Sequence, residues 1–285
     1  MKSNFKEIAR QLTIVENDLE GMDNILKKID FNSSKPIIGV TGPPGAGKST
    51  LVNKLVEECL KEGKRVAVLA VDPTSPFTSG SILGDRIRMQ STSTNPNVYI
   101  RSVASRGALG GLSSKIIEMT DVLKSFGFDY IFIETVGVGQ SEIDVAGLAD
   151  IILMVLVPES GDEVQFLKAG ILEISNAFII NKADREGANE LESNLQMLSL
   201  SAKIPVFKTT ASIGVGVSAV FDFIKNYQYK LDANFVMISK KAWLLIQQQL
   251  MKRIDKNLLV KELSEALKSS DFNLYKFVEL KIKNS

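Results

Sequence analysis

The residues Gly42-Pro43-Pro44-Gly45-Ala46-Gly47-Lys48-Ser49 fill every fixed position of a GxxxxGK(S/T) pattern, directly after the short apolar run Pro36 to Thr41. A strand that turns through glycines into a helix leaves backbone N–H groups and the positive helix end facing an anion. The pattern thus constrains its surroundings to strand, phosphate-cradling loop and helix, the helix covering Ser49 to Lys61, and it predicts a nucleoside triphosphate as ligand. Gly42 to Thr50 are the residues expected around the phosphates. Among them Lys48 is expected to reach the β and γ phosphates, and the Ser49 hydroxyl to ligate Mg²⁺. A glycine-proline turn with a merely solvated lysine is the alternative, and the strand before it and helix after it speak against that.

Six further apolar runs follow at intervals: Arg65 to Val71, Val98 to Ser102, Tyr130 to Glu134, Ile151 to Val157, Ala177 to Asn181 and Val206 to Thr210. Their hydrophobicity is continuous rather than alternating, as in strands buried on both faces, and helix-like stretches separate them. The fold class that follows is α/β, a doubly wound and mostly parallel sheet. Ligands of such folds sit beyond the carboxyl ends of the strands, so polar residues that end these runs are the candidates for chemistry. Before the sheet, Asn4 to Ile29 reads as helix and Asp30 to Lys35 as a linker. After it, Ala242, Ile246, Leu250 and Ile254 fall four apart on one helical face, and Leu259, Leu263 and Ala266 resume the stripe beyond a break at Asp255 to Asn257. The expected organisation is an N-terminal helical extension over 1–35, a nucleotide-binding domain over 36–229 and a C-terminal helical arm over 230–285. The arm's stripe packs either on the chain's own domain or in a second subunit.

A hydrophobic fraction of 45% in 285 residues is ample for a sizeable core. The 34 basic and 33 acidic residues nearly cancel, so no net field argues for nucleic acid or an anionic membrane as partner. Ile151 to Val157, the longest apolar stretch, is too short to span a bilayer, and Lys2, Lys6, Glu7 and Arg10 interrupt any signal-peptide core. A cytoplasmic protein is expected. Histidine is absent, which removes the commonest general base and transition-metal ligand. Catalysis must then run on carboxylates, lysine, Mg²⁺ and backbone dipoles. Cys59, the single cysteine, has no partner for a disulfide and reads as core.

At the end of the sixth run stands Asn181-Lys182-Ala183-Asp184. An aspartate there can accept two hydrogen bonds from the guanine N1–H and N2 amino group, which adenine does not offer. A carboxylate left without donors by the wrong base can discriminate by on the order of 10⁴, so GTP is expected over ATP. Asn181 is expected to brace the neighbouring loop, Lys182 to cover the base, and Thr210-Ala211-Ser212 to supply a second contact to it. Three carboxylates fall where Mg²⁺ and the γ phosphate should lie. Asp72 closes the second run before Pro73, Glu134 closes the fourth, and Asp85 lies in Ser81-Ile82-Leu83-Gly84-Asp85-Arg86. Glu134 reads as an acid beside the metal, and Gly137 lets the backbone approach the γ phosphate, so Glu134-Thr135-Val136-Gly137 reads as a switch that senses GTP. For Asp72 an Asp-Pro turn, and for Asp85 a helix cap, are the structural alternatives.

Together these blocks resemble the MeaB, ArgK and MMAA family, the GTPase chaperones of adenosylcobalamin-dependent methylmalonyl-CoA mutase, over about residues 9–225 by inspection. The resemblance rests on Ala9 to Glu16 (ARQLTIVE), the phosphate loop, Val71 to Ser75, Ser79 to Arg86, Ser105 to Leu112 and Glu134 to Glu142. It implies a P-loop NTPase fold of the SIMIBI type and a homodimeric, GTP-hydrolysing partner that gates cofactor loading and protects the mutase. It also implies Ser49, Asp72, Asp85 and Glu134 around the metal, and a mobile loop at Gly161 to Gln165 with Lys168. A lysine added at the β and γ phosphates offsets charge in the transition state. Lys168 is accordingly either that catalyst or a solvated helix lysine, and Gln140 is a weaker candidate for orienting water. The stretch from Asp184 to Pro205 and the C-terminal arm depart from the family pattern. Other readings are a GTPase that delivers nickel to a metalloenzyme, which the lack of histidine disfavours, and a kinase or ATPase tied to lysine, arginine and ornithine transport, for which no acceptor-positioning base is evident.

Overall fold

The computed structural model describes residues 5–29, 35–72, 92, 94–104, 115–135, 148–159, 174–199, 203–228, 231–252, 254–269 and 271–283. Seven strands form one sheet: β1 (Ile37–Thr41), β2 (Val66–Asp72), β3 (Val98–Ala104), β4 (Tyr130–Glu134), β5 (Ile151–Leu156), β6 (Ala177–Asn181) and β7 (Val206–Thr209). Their order is β3-β2-β4-β1-β5-β6-β7 and every pairing is parallel. The doubly wound fold read from the apolar runs is the fold observed. β1 lies centrally, between β4 and β5, and this puts the phosphate loop that follows it beside the carboxyl ends of both neighbours.

The loop runs into α3 (Lys48–Lys61), which packs beside α6 (Val217–Asn226) on one face of the sheet. Ile38 and Val40 of β1, Leu51 and Leu55 of α3 and Phe221 of α6 belong to the core beneath them. Residues 51, 55, 56 and 59 fall on the inward side at helical spacing, and Cys59 is fully buried there. Burial first, then the nearby carboxylate of Glu62, pushes its thiol well above the ordinary range. A second cluster under α5 (Ala188–Ser199) joins Met154, Phe178, Leu191 and Leu195.

The N-terminal segment is two helices rather than the single one expected over residues 4–29. α1 (Phe5–Glu16) and α2 (Met22–Leu26) are separated where Asp18 and Gly21 adopt φ of 52° and 93°. Left-handed residues cannot continue an α-helix, and the apolar periodicity of the segment does not reveal them. Ile8, Leu12 and Val15 of α1 are buried. Arg101 of β3 fixes the helix by donating to Ala9 O (3.2 Å), Thr13 Oγ1 (3.1 Å) and the Glu16 carboxylate (2.5 Å). Lys115, just before α4 (Ile116–Ser125), pairs with Asp18 at 2.7 Å and Glu118 at 2.9 Å. Burial alone would lower the Lys115 pKa, but those carboxylates outweigh it and the net shift is upward.

The chain divides into two compact units, Met1–Asn234 and Phe235–Ser285. The second contains most of α7 (Leu231–Lys252), then α8 (Lys256–Ala266) and α9 (Leu274–Lys283). The break expected near Asp255 is a helix start, since the Asp255 carboxylate accepts from Asn257 N and Leu258 N. Trp243, Ile246 and Leu250 on α7 are more than half exposed. No described helix is long and apolar enough to cross a membrane.

Candidate functional site

The site is assembled at the carboxyl ends of β1, β4, β6 and β7. Gly42, at φ 141°, begins the loop so close to β5 that a Cβ would stand 2.0 Å from Val155 O. Gly47, at φ 85°, ends it as the residue before α3, where a Cβ would stand 2.4 Å from Asn181 Nδ2. Only glycine satisfies both the backbone and the space at these two positions. Between them Pro44 and Gly45 are exposed, whereas Lys48 and Ser49 are buried. The Lys48 ammonium donates to Gly42 O at 2.9 Å and Pro43 O at 3.0 Å, so it lies folded along the inside of the loop.

Parallel pairing of β1 with β4 sets Val40 opposite Glu134, and this register carries the carboxylate to the start of α3. Ser49 Oγ donates to Glu134 Oε1 at 2.5 Å, with both residues buried. Both are expected at the metal from sequence, and although they lie 85 positions apart the fold brings them into contact. Both offer hard oxygen donors, which fits Mg²⁺ chemistry. Asp72 closes β2 opposite Ala104, but its side chain lies outside the described residues, as do Asp85, Gly137, Gln140, Lys168 and the blocks at 105–112 and 161–165.

Asn181 forms the second centre. Its Nδ2 donates to Ala46 O of the loop at 2.8 Å, while Oδ1 accepts from Thr209 Oγ1 and from Ala211 N, both at 3.1 Å. One buried amide therefore ties the phosphate loop to the end of β7. Lys182 follows at φ 56°, a left-handed conformation that turns the chain at once, and Ala183 N donates to Thr209 O at 3.0 Å. Asp184 and Ser212 are exposed, Thr210 is half-buried and Ala211 is buried. The turn after β7 closes by Thr210 N donating to Val215 O at 3.0 Å. Arg185 reaches the Glu159 carboxylate beyond β5, and that hydrogen bond is the first cause holding Glu159 below its ordinary pKa.

A family model described as methylmalonyl Co-A mutase-associated GTPase MeaB matches residues 8–268. The chain belongs to this MeaB family of P-loop GTPases. Among its relatives is a Pyrococcus abyssi protein provisionally named a GTPase, 43% identical over 281 residues that cover 95% of this chain and 86% of the relative. The mitochondrial methylmalonic aciduria type A homolog of Mus musculus is 34% identical over 251 residues, covering 81% of this chain and 60% of that protein. Among solved structures, one described as LAO/AO transport system kinase superposes with a TM-score of 0.66 at 23% identity, over 99% of this chain and 89% of that one. The hydrogenase maturation factor HypB of Archaeoglobus fulgidus gives 0.52 at 16% identity, over 77% and 98%. These two likenesses concern the fold alone.

Two features of this MeaB-family site are missing from the sequence reading. Thr209 shares the Asn181 carbonyl with Ala211 N, and Thr135 Oγ1 donates to Thr41 Oγ1 at 2.9 Å just below the loop. The one signal for either is a threonine at a strand end beside a motif, and it does not name the partner. Arg101 accounts for part of the ARQLTIVE block, whose Ala9, Thr13 and Glu16 are its acceptors.

Proposed function

We propose that this chain binds GTP with Mg²⁺, hydrolyses it slowly alone, and works in the cytoplasm as a homodimer. Its partner is methylmalonyl-CoA mutase or a related acyl-CoA mutase, whose adenosylcobalamin loading it gates and which it protects. The observation that carries the nucleotide half is the Asn181 amide, bonded at once to Ala46 O and Ala211 N. It supports a single pocket in which the loop from Gly42 to Thr50 holds phosphates while Lys182, Asp184 and the Thr210 to Ser212 turn hold guanine. The mutase half is supported by the family match over residues 8–268. The exposed Trp243, Ile246 and Leu250 of α7 support the homodimer.

In the reaction, water attacks the γ phosphorus, the bond to the β–γ bridging oxygen breaks, and GDP and phosphate leave. Charge develops on the phosphoryl oxygens and the bridge, and catalysis consists mostly of positioning and compensating it. Lys48 has the reach for this once its ammonium exchanges Gly42 O and Pro43 O for phosphate. Ser49, Asp72, Asp85 and Glu134 are the residues that would hold Mg²⁺, which when bound neutralises the β and γ oxygens. Gly137 would admit the γ phosphate to the backbone of the switch. Lys168 would add a further positive charge, in trans or on partner binding.

The test is GTP turnover with and without the mutase encoded by the same organism. The expected result is a low basal rate raised on the order of tenfold or more by the mutase. Equal rates would remove the mutase half of the proposal and leave the nucleotide half standing.

A further inference from the structure

Residues 134 and 135 are held from three directions where the chain leaves β4. Glu134 shares a sheet face with Val40, since the two are register partners, and on that face its carboxylate meets Ser49. Side chains alternate along a strand, so Thr135 and Thr41, one residue further on, point to the opposite face. There their hydroxyls bond at 2.9 Å, with exposures of 1% and 0%. In the plane of the sheet, Thr135 N donates to Val40 O at 3.1 Å. Thr41 is the residue before Gly42, so the hydroxyl pair joins the root of the phosphate loop to the residue after Glu134.

We infer that Thr135 is a positioning residue: its hydroxyl, bonded to Thr41, fixes the exit of β4 and so holds the Glu134 carboxylate against Ser49. The inference rests on the GTPase reading above. A valine at 135 keeps the volume and β-branching but removes the donor, leaving the buried Thr41 hydroxyl without this bond and β4 without its anchor on that face. Backbone packing alone would tolerate that exchange. Geometry at Ser49 would not, because the Thr135–Thr41 bond ties the residue after Glu134 to the residue before the phosphate loop.

The experiment compares wild type with Thr135→Val, Thr135→Ser, Thr41→Val and the double valine variant. It measures GTP turnover at saturating nucleotide, the Mg²⁺ concentration giving half-maximal GTP affinity, GDP affinity at saturating Mg²⁺, and the thermal midpoint. Thr135→Val is expected to lower kcat and raise the Mg²⁺ requirement by about tenfold each, with GDP affinity at saturating Mg²⁺ within about twofold. Thr135→Ser should restore both, and the double variant should be no worse than either single one, since one bond is removed in all three. Wild-type kcat and Mg²⁺ dependence in Thr135→Val would overturn the inference, as would equal impairment in valine and serine variants. If Thr135→Val does not fold, Thr41→Val decides by the same readouts. Wild-type protein that neither binds nor hydrolyses GTP would instead remove the underlying function.

Discussion

The two ends of the same parallel sheet use carboxylates in opposite ways. At the amino ends, Asp129 precedes β4 and accepts from Arg65 N at 2.9 Å and Lys35 Nζ at 3.2 Å, while Asp150 precedes β5 and accepts from Ile37 N at 2.7 Å. Each stitches neighbouring strands together by satisfying a backbone N–H. At the carboxyl ends, Glu134 accepts from a side chain of the phosphate loop's helix, and the buried Asn181 amide joins two loops. The amino edge thus spends its polar groups on the sheet, and the carboxyl edge spends them on loops that can engage a ligand. A carboxylate beside a strand is therefore read by which end it occupies, not by its residue type.

The sharpest way to break this contrast is at the exposed tip of the carboxyl edge. Asp184→Asn replaces an acceptor-only group by one that can also donate, and should move the preference between GTP and xanthosine triphosphate by about 10⁴ toward the latter. Competition binding checks this, and an unchanged preference would remove Asp184 from the base site. Next in size, Asn181→Ala cuts three hydrogen bonds to two loops and should weaken GTP binding by about ten- to a hundredfold, measured by titration calorimetry. Loss of stability with intact affinity would make Asn181 a stitch like those of the opposite edge.

The smallest effect belongs to the amino edge. Asp129→Asn should cost about 1–2 kcal/mol of unfolding free energy while leaving kcat of the folded protein unchanged. Burial works to raise the Asp129 pKa, but the Arg65 N–H and the Lys35 ammonium outweigh it and hold it below the ordinary aspartate range. A depressed folded-state pKa stabilises the protein above the unfolded value, and that stability is lost as pH falls through the folded one. The gap between wild type and Asp129→Asn should therefore persist at neutral pH and close progressively below about pH 4 in denaturant titrations. A gap independent of pH would mean that the carboxylate charge plays no part.

Much of the fold was legible because buried parallel strands write themselves as continuous apolar runs. β4 and β6 begin and end where Tyr130 to Glu134 and Ala177 to Asn181 place them. Motif residues were legible for a similar reason, since Lys48, Ser49 and Asn181 sit at fixed offsets from strand ends. The turn at Asp18 was not, because an aspartate at φ 52° leaves no mark on helical periodicity. Nor were the pairs that finish the site. Thr41 and Thr135 lie 94 residues apart, and their bond exists only because β1 and β4 become neighbours in register. Arg101 is equally opaque, as its acceptors are 85 to 92 residues upstream.

Cys59, sealed on the inward side of α3 where burial pushes its thiol well above the ordinary range, gives the molecule an internal stopwatch. Maleimides and disulfide reagents need a thiolate and a clear path, and the intact chain offers neither. Labelling therefore counts openings of the nucleotide-binding unit one at a time, with no second sulfhydryl to confuse the tally. The rate at which label accumulates, with and without GTP, reports how firmly the nucleotide clasps the protein around it.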